Sequence, residues 1–179
     1  MKRAAVVVCC LLLAGCGLFK RTPNTFYTLD TIPGTPRSAS GAPLGIDALE
    51  LPPGLDRRGL VVRGADLKLD VRGQHQWSAA LEDMVIHTLA FDLASRLPEG
   101  MVVLPGQPKP ANMRSLAVVM EELAPGQDRV FVLDARWTLA GVTRHERITV
   151  PMPSLDSPEI PKAMSAALAE LAQRIAAGA

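Results

Sequence analysis

The sequence predicts a single α+β domain, in which a mainly antiparallel sheet carries two amphipathic helices. Three observations predict it. Short alternating or apolar runs follow one another between clusters of Pro, Gly and Asp, as strands do. A stripe from Trp77 to Leu97 recurs every four residues. A second stripe, from Ile160 to Ile175, recurs at helical spacing near the end of the chain. No internal repeat or composition break divides the 179 residues, so one domain is expected rather than two.

The elements follow in order. Phe26-Tyr27-Thr28-Leu29 is an aromatic and β-branched run, suited to a first strand. Thr31 to Leu44 is rich in Pro, Gly, Ser and Thr and reads as a loop. Gly45 to Leu51 alternates as a strand and stops at Pro52-Pro53-Gly54. Leu60 to Arg63 and Leu67 to Val71 flank Gly64-Ala65-Asp66 as a hairpin. In the second arm, Leu67, Leu69 and Val71 share one face, with Lys68 and Asp70 on the other.

The period changes at Trp77. Trp77, Leu81, Val85, Leu89, Leu93 and Leu97 form one stripe, widened by Met84, Ile86 and Ala90. This spacing predicts a helix of about twenty residues, closed by Pro98-Glu99-Gly100. Met101 to Leu104 follows as a strand. Leu116 to Leu123 and Val130 to Leu139 are longer strands joined by Ala124 to Asp128. In the latter, Phe131, Leu133, Ala135, Trp137 and Leu139 face one way, and Asp134 and Arg136 the other. Val142 to Val150 is a more polar strand. A last helix begins near Ser157-Pro158-Glu159, where Ser or Asp can cap and Pro fits the first turn. Its apolar positions are Ile160, Met164, Ala167, Leu168, Leu171 and Ile175.

The N-terminus carries a different signal. Met1-Lys2-Arg3 is positive, and Ala4 to Ala14 is apolar but shorter than the roughly 20 residues needed to span a bilayer. This pattern is that of a secretory signal peptide. Leu13-Ala14-Gly15-Cys16 looks like a bacterial lipobox: small residues admit the peptidase, and the thiol receives a diacylglycerol. The expected organisation is a removed signal peptide at 1–15, a lipidated Cys16 and tether at 16–25, and a folded domain at 26–177. Cys9 and Cys10 leave with the peptide, so no metal or redox site is expected from cysteine. Losing Lys2 and Arg3 also takes the formal net charge from +1 to −1. The expected modification is an N-acyl chain such as palmitate and an S-diacylglycerol on Cys16, with no other cofactor. More than one acyl chain makes such anchoring stable. Gly17, where Asp would favour inner-membrane retention, points to the outer membrane.

The near-neutral charge, with no basic run, excludes a broad nucleic-acid surface. His75, His87 and His145 fall on separate elements and suit solvated or half-buried positions. The charge-rich Arg144-His145-Glu146-Arg147 suits an exposed edge strand. No nucleophile elbow, phosphate loop or His-Glu-x-x-His pattern is present. Glu82-Asp83 and Glu121-Glu122 are adjacent pairs, whose side chains diverge on either a helix or a strand. No catalytic or metal-binding residue is assigned, and an enzyme is not expected. Trp77 and Trp137 could line a lipid groove, but they read better as core aromatics.

Two stretches, "LPPGLDRRGLVVR" from Leu51 and "HQWSAALEDMVIHTLAFDLASRLP" from His75, resemble the ABC-type transport auxiliary lipoproteins, the PqiC-like family of the paraquat-inducible membrane system. The matching positions are Phe26 to Leu29, Leu51 to Arg57, Trp77, Arg96-Leu97 and the strand from Arg129 to Gly141. Gly54 and Arg58 depart from the family's usual residues. The resemblance implies a non-catalytic accessory in the periplasm at the outer membrane, serving an MCE-domain protein with its ABC permease and ATPase in lipid transport. Partner contact is expected at Leu51, Pro52, Pro53, Leu55, Asp56, Arg57 and Arg58, and homo-oligomerisation is compatible with it. A lipid-binding carrier and an envelope assembly factor for cell-wall or secretion machinery stay open as alternatives.

Overall fold

The computed structural model describes residues 23–66 and 68–179. The signal peptide, the lipobox with Cys16, the tether up to residue 22, and the part of Leu67 in a strand face lie outside the described residues. Ten elements follow one another among the described residues: β1 (Thr25–Tyr27), β2 (Leu44–Glu50), β3 (Gly59–Arg63), β4 (Leu69–Trp77), α1 (Leu81–Ala94), β5 (Val102–Val103), β6 (Arg114–Pro125), β7 (Val130–Leu139), β8 (Val142–Pro151) and α2 (Glu159–Ala177).

The α+β class holds, with two helices on sheet, and the structure adds detail to the strand layout. The strands form two mixed sheets, ordered β1-β4-β3 and β5-β2-β6-β7-β8. The consecutive pairs β3/β4, β6/β7 and β7/β8 are antiparallel. The pairs β1/β4, β2/β5 and β2/β6 are parallel. Alternation selects which face of a strand is buried, but it carries no information about a partner distant in sequence.

The core lies between the five-stranded sheet and the helices, with α1 against β2 and β5 and α2 against β6, β7 and β8. From the sheet come Leu116, Val118, Met120, Phe131, Leu133, Ala135, Trp137 and Leu139, all buried. The predicted stripe of α2 is buried in full. Burying side chains of this size contributes roughly 1.5–3 kcal/mol each. Ser157 does not cap α2 through its side chain; its hydroxyl instead accepts a hydrogen bond from Arg72 Nη1 at 3.1 Å.

The helical stripe predicted from Trp77 divides into two elements. Trp77 is the last residue of β4, paired with Tyr27, and α1 begins at Leu81. The chain turns through Ser78-Ala79-Ala80, and Ser78 N–H donates to the Tyr27 carbonyl at 2.8 Å. The arm predicted over Leu67 to Val71 is the start of the longer β4, whose Leu69 and Val71 are both exposed.

The buried arc of α1 is wider than its apolar stripe, because Thr88 and Asp92 are buried as well. The cause is the Pro/Gly-rich loop after β1, which runs along the helix as a strap. Asp30 N–H donates to Ser165 Oγ, Ile32 N–H to Asp92 Oδ1, Gly34 N–H to Ser95 Oγ and Arg37 N–H to the Arg96 carbonyl. Arg96 is buried under the strap and donates through Nη1 to the Ile32 carbonyl at 2.9 Å. A Cβ on Gly34 would meet Arg96 Cγ at 2.5 Å, so the strap passes over this arginine only where a side chain is missing.

Candidate functional site

The loop between β2 and β3 starts at Pro52-Pro53, which end the strand by removing two backbone donors. Gly54 follows at φ +89°, a left-handed conformation that glycine adopts without steric cost. The Leu55 N–H then closes the turn on the Pro52 carbonyl at 3.3 Å, and Arg57 Nε donates to the Gly54 carbonyl at 2.6 Å. Leu55 turns inward and is buried in the core, whereas Asp56, Arg57 and Arg58 stay exposed.

This loop forms one wall of a cleft of about 770 Å³. The opposite wall is the entry to α1, from Ser78 to Glu82, with Trp77 at the back and Phe26 at the rim. Of the seven residues expected to contact a partner, Leu51, Pro52, Pro53, Asp56, Arg57 and Arg58 come together here, and Leu55 does not. The Arg58 carbonyl accepts from Trp77 N–H at 2.7 Å, which ties the loop to the end of β4 and fixes the width of the cleft. The lining is amphipathic: Phe26, Leu51, the prolines and Leu81 are apolar, while Arg57 and Arg58 oppose Asp56 and Glu82 in charge. Outside the rim, Leu69 is exposed and approaches Gly54 closely.

Phe26 and the Ser78 to Glu82 wall join the predicted residues here. β1 is a sheet edge, which leaves Phe26 59% exposed. The small residues Ser78-Ala79-Ala80 were hidden inside the apparent helical period.

A second polar cluster lies on the face of the large sheet away from the helices. Glu121, Asp134 and His145 place ligand atoms within 4.8 Å of one another. Asp134 accepts from His145 Nε2 and from Arg147 Nη1, each at 2.5 Å, and Glu121 accepts from Arg136 Nε at 2.7 Å. Glu122 pairs with Arg63 and Arg147. Burial pushes the Asp134 carboxyl up, but the hydrogen bonds from His145 and Arg147 outweigh it and hold the group below the usual carboxylate range. The arginines thus already neutralise the carboxylates, and the cluster reads as an ion-pair network joining β6, β7 and β8.

Trp137 is buried, with Arg144 stacked 5.5 Å from its ring centroid, so it belongs to the core as expected. Trp77 is buried too, and it lines the cleft. Among the described residues no helix is long and apolar enough to cross a membrane.

The chain has recognisable relatives. A model of the family described as ABC-type transport auxiliary lipoprotein component matches residues 27–176. The chain is 28% identical over 142 residues to the intermembrane transport lipoprotein PqiC of Escherichia coli K12, covering 78% of this chain and 74% of the relative. PqiC of Shigella flexneri matches to the same extent. A crystal structure of an uncharacterized protein superposes with a TM-score of 0.72 at 20% identity, over 88% of this chain and 99% of that one. A crystal structure of a Xanthomonas campestris protein gives 0.67 at 15% identity, over 85% and 92%. The two structures share the fold, and the family match runs from Tyr27, the last residue of β1, to residue 176, one short of the end of α2. The chain therefore belongs to the ABC-type transport auxiliary lipoprotein family, as an auxiliary component of a PqiC-like transport system.

Proposed function

We propose that this chain is a non-catalytic docking lipoprotein, anchored through acyl chains on Cys16 in the periplasmic face of the outer membrane. There it receives an MCE-domain protein, which works with an ABC permease and ATPase to move lipids between the inner and outer membranes. One observation carries the reading: the segment from Leu51 to Arg58 is built as the rigid wall of an open, amphipathic cleft. Two prolines and a tight turn limit the entropy that the wall loses on binding. Exposed arginines beside apolar surface are the residue types that concentrate binding energy at interfaces. The family assignment supports the accessory role, and the name of its Escherichia coli relative supports the intermembrane setting.

A carrier binding lipid between sheet and helices is less well supported. That space is filled by side chains such as Phe131, Trp137, Leu133 and Leu168, all of them buried.

The test is affinity capture of the membrane-anchored chain after gentle extraction. The wild type is expected to retrieve an MCE-domain protein. Arg57→Glu with Arg58→Glu is expected to cut that recovery about tenfold, the effect of losing roughly 1.4 kcal/mol at an interface. Both arginines are exposed, so the variant keeps its core and its membrane fraction. Equal recovery from the two forms would remove the cleft from the docking surface.

A further inference from the structure

The cleft is located where the chain enters its folded body, and this has a consequence for its orientation. Only residues 17–24 separate Cys16 from the start of β1. Eight residues span at most about 28 Å fully extended. A folded body of this length is about 40 Å across. A tether shorter than the body cannot reach around it, so β1 cannot face directly away from the membrane and is held toward its membrane-facing side.

That side carries apolar and charged groups suited to a bilayer surface. Phe26, on β1 itself, is 59% exposed, the most exposed of the large apolar residues among the described residues. It forms the rim of the cleft, whose lining offers Arg57 and Arg58 together with Asp56 and Glu82. A zwitterionic phospholipid headgroup has the complementary pair, a phosphate for the arginines and an ammonium for the carboxylates. An aromatic ring beside such groups matches the chemistry of the interfacial layer, which is apolar on one side and wet on the other.

From the tether length, the exposed Phe26 and the mixed charge of the rim, we infer that the cleft opens onto the bilayer, with Phe26 entering the headgroup layer and Arg57 and Arg58 meeting lipid phosphates. The inference rests on the lipid anchor at Cys16. It gives the docking site a geometry: a partner seated on the Leu51 to Pro53 wall meets lipid at the mouth of the same cleft.

The test uses the full lipidated chain in liposomes of phosphatidylethanolamine and phosphatidylglycerol. Cys16 carries the anchor and the mature chain has no other cysteine, so one added cysteine takes a fluorophore cleanly. Phe26→Cys is compared with Val142→Cys. Val142 is also exposed, but it starts β8 near Arg144, which lies against Gly178 at the far end of α2. The label at 26 is expected to be quenched by brominated lipid at least twice as strongly as the label at 142, and Arg57→Glu with Arg58→Glu is expected to reduce the difference. Equal quenching at both positions would overturn the inference while leaving the anchor intact. Shielding of position 26 from water without quenching by lipid would also overturn it, because this chain itself, through its tether or a second copy, would then cover the cleft. If the chain fails to float with the liposomes, the anchor reading fails and this inference with it.

Discussion

Replacing Asp92 with Ala is expected to lower the stability of the folded body by about 3 kcal/mol, the scale for breaking a buried charge pair. The side chain is fully buried at the end of α1, 3.8 Å from Arg96 Nη1, and its Oδ1 accepts the Ile32 N–H at 2.8 Å. Without it, that N–H loses its partner, and the Arg96 guanidinium under the strap is left, among the described residues, with the neutral acceptors Ile32 O, the residue 92 carbonyl and Ser95 Oγ. Thermal unfolding followed by circular dichroism checks this, with the midpoint expected to fall by roughly 6–12 °C for a domain of this size. Amide exchange should rise first along the strap, at Ile32, Gly34 and Arg37. A midpoint within a degree of wild type would show that the strap is held by something else.

The same residue sets a pH dependence. Burial pushes the Asp92 carboxyl up to about 6, against the lowering effects of the Ile32 hydrogen bond and the Arg96 charge. Its Oδ2 has no hydrogen-bond partner among the described residues. Between the ordinary carboxylate value of 3.8 and about 6, the folded chain therefore holds a proton that the unfolded chain releases. Stability from this group falls as pH rises through that window, the reverse of a carboxylate held by an ion pair. Asp92→Asn, which keeps an acceptor for Ile32, is expected to remove that decline. Asp134 acts in the opposite sense. Its carboxyl is held low, so its contribution is present above the ordinary carboxylate value and is lost as pH falls through its folded value.

Cys16→Ala is expected to have the largest cellular effect, moving the chain from the membrane fraction to the soluble fraction almost entirely. On the proposed lipidation the reason is covalent: without the Cys16 thiol there would be no site for the diacylglycerol, and among the described residues no helix is long and apolar enough to cross a membrane. Fractionation with immunodetection reads the outcome. Because the folded body begins at Thr25, the substitution should leave the melting midpoint of that body unchanged. Retention in the membrane fraction would refute lipidation at this position.

Much of this molecule is legible in its sequence where side-chain periodicity and burial coincide. The inward set Phe131, Leu133, Ala135, Trp137 and Leu139 is buried as its alternation requires, and the stripe of α2 is buried residue for residue. The start of α1 was not legible, because Trp77 and Leu81 keep a four-residue spacing across a strand–turn–helix junction. The residues Gly73 to Gln76 before Trp77 are small or polar, so β4 shows no alternation there. The parallel partners of β1 and β2 were also hidden. They join segments far apart in the chain, a choice made by packing rather than by local pattern.

The candidate site shows the same division. The sequence marks the wall from Leu51 to Arg58 through its prolines and charges. The facing wall is made of Ser78, Ala79 and Ala80, which have no chemical signature of their own and matter only because they stand opposite. Leu55 lies within the marked stretch but serves the core, as an apolar residue after a tight turn is free to do. The strap could be read as loop, but its role could not: Asp92 and Arg96 appear as ordinary polar residues on a helix until the loop is seen to cover them.

The docking claim is most directly tested in living cells with a photo-crosslinking amino acid at Pro53, on the exposed wall of the cleft, and at Thr143, on β8. Irradiation is expected to join the chain to an MCE-domain protein from position 53 and not from position 143. Crosslinks to that protein from 143 but not from 53, or from neither position, would contradict the account.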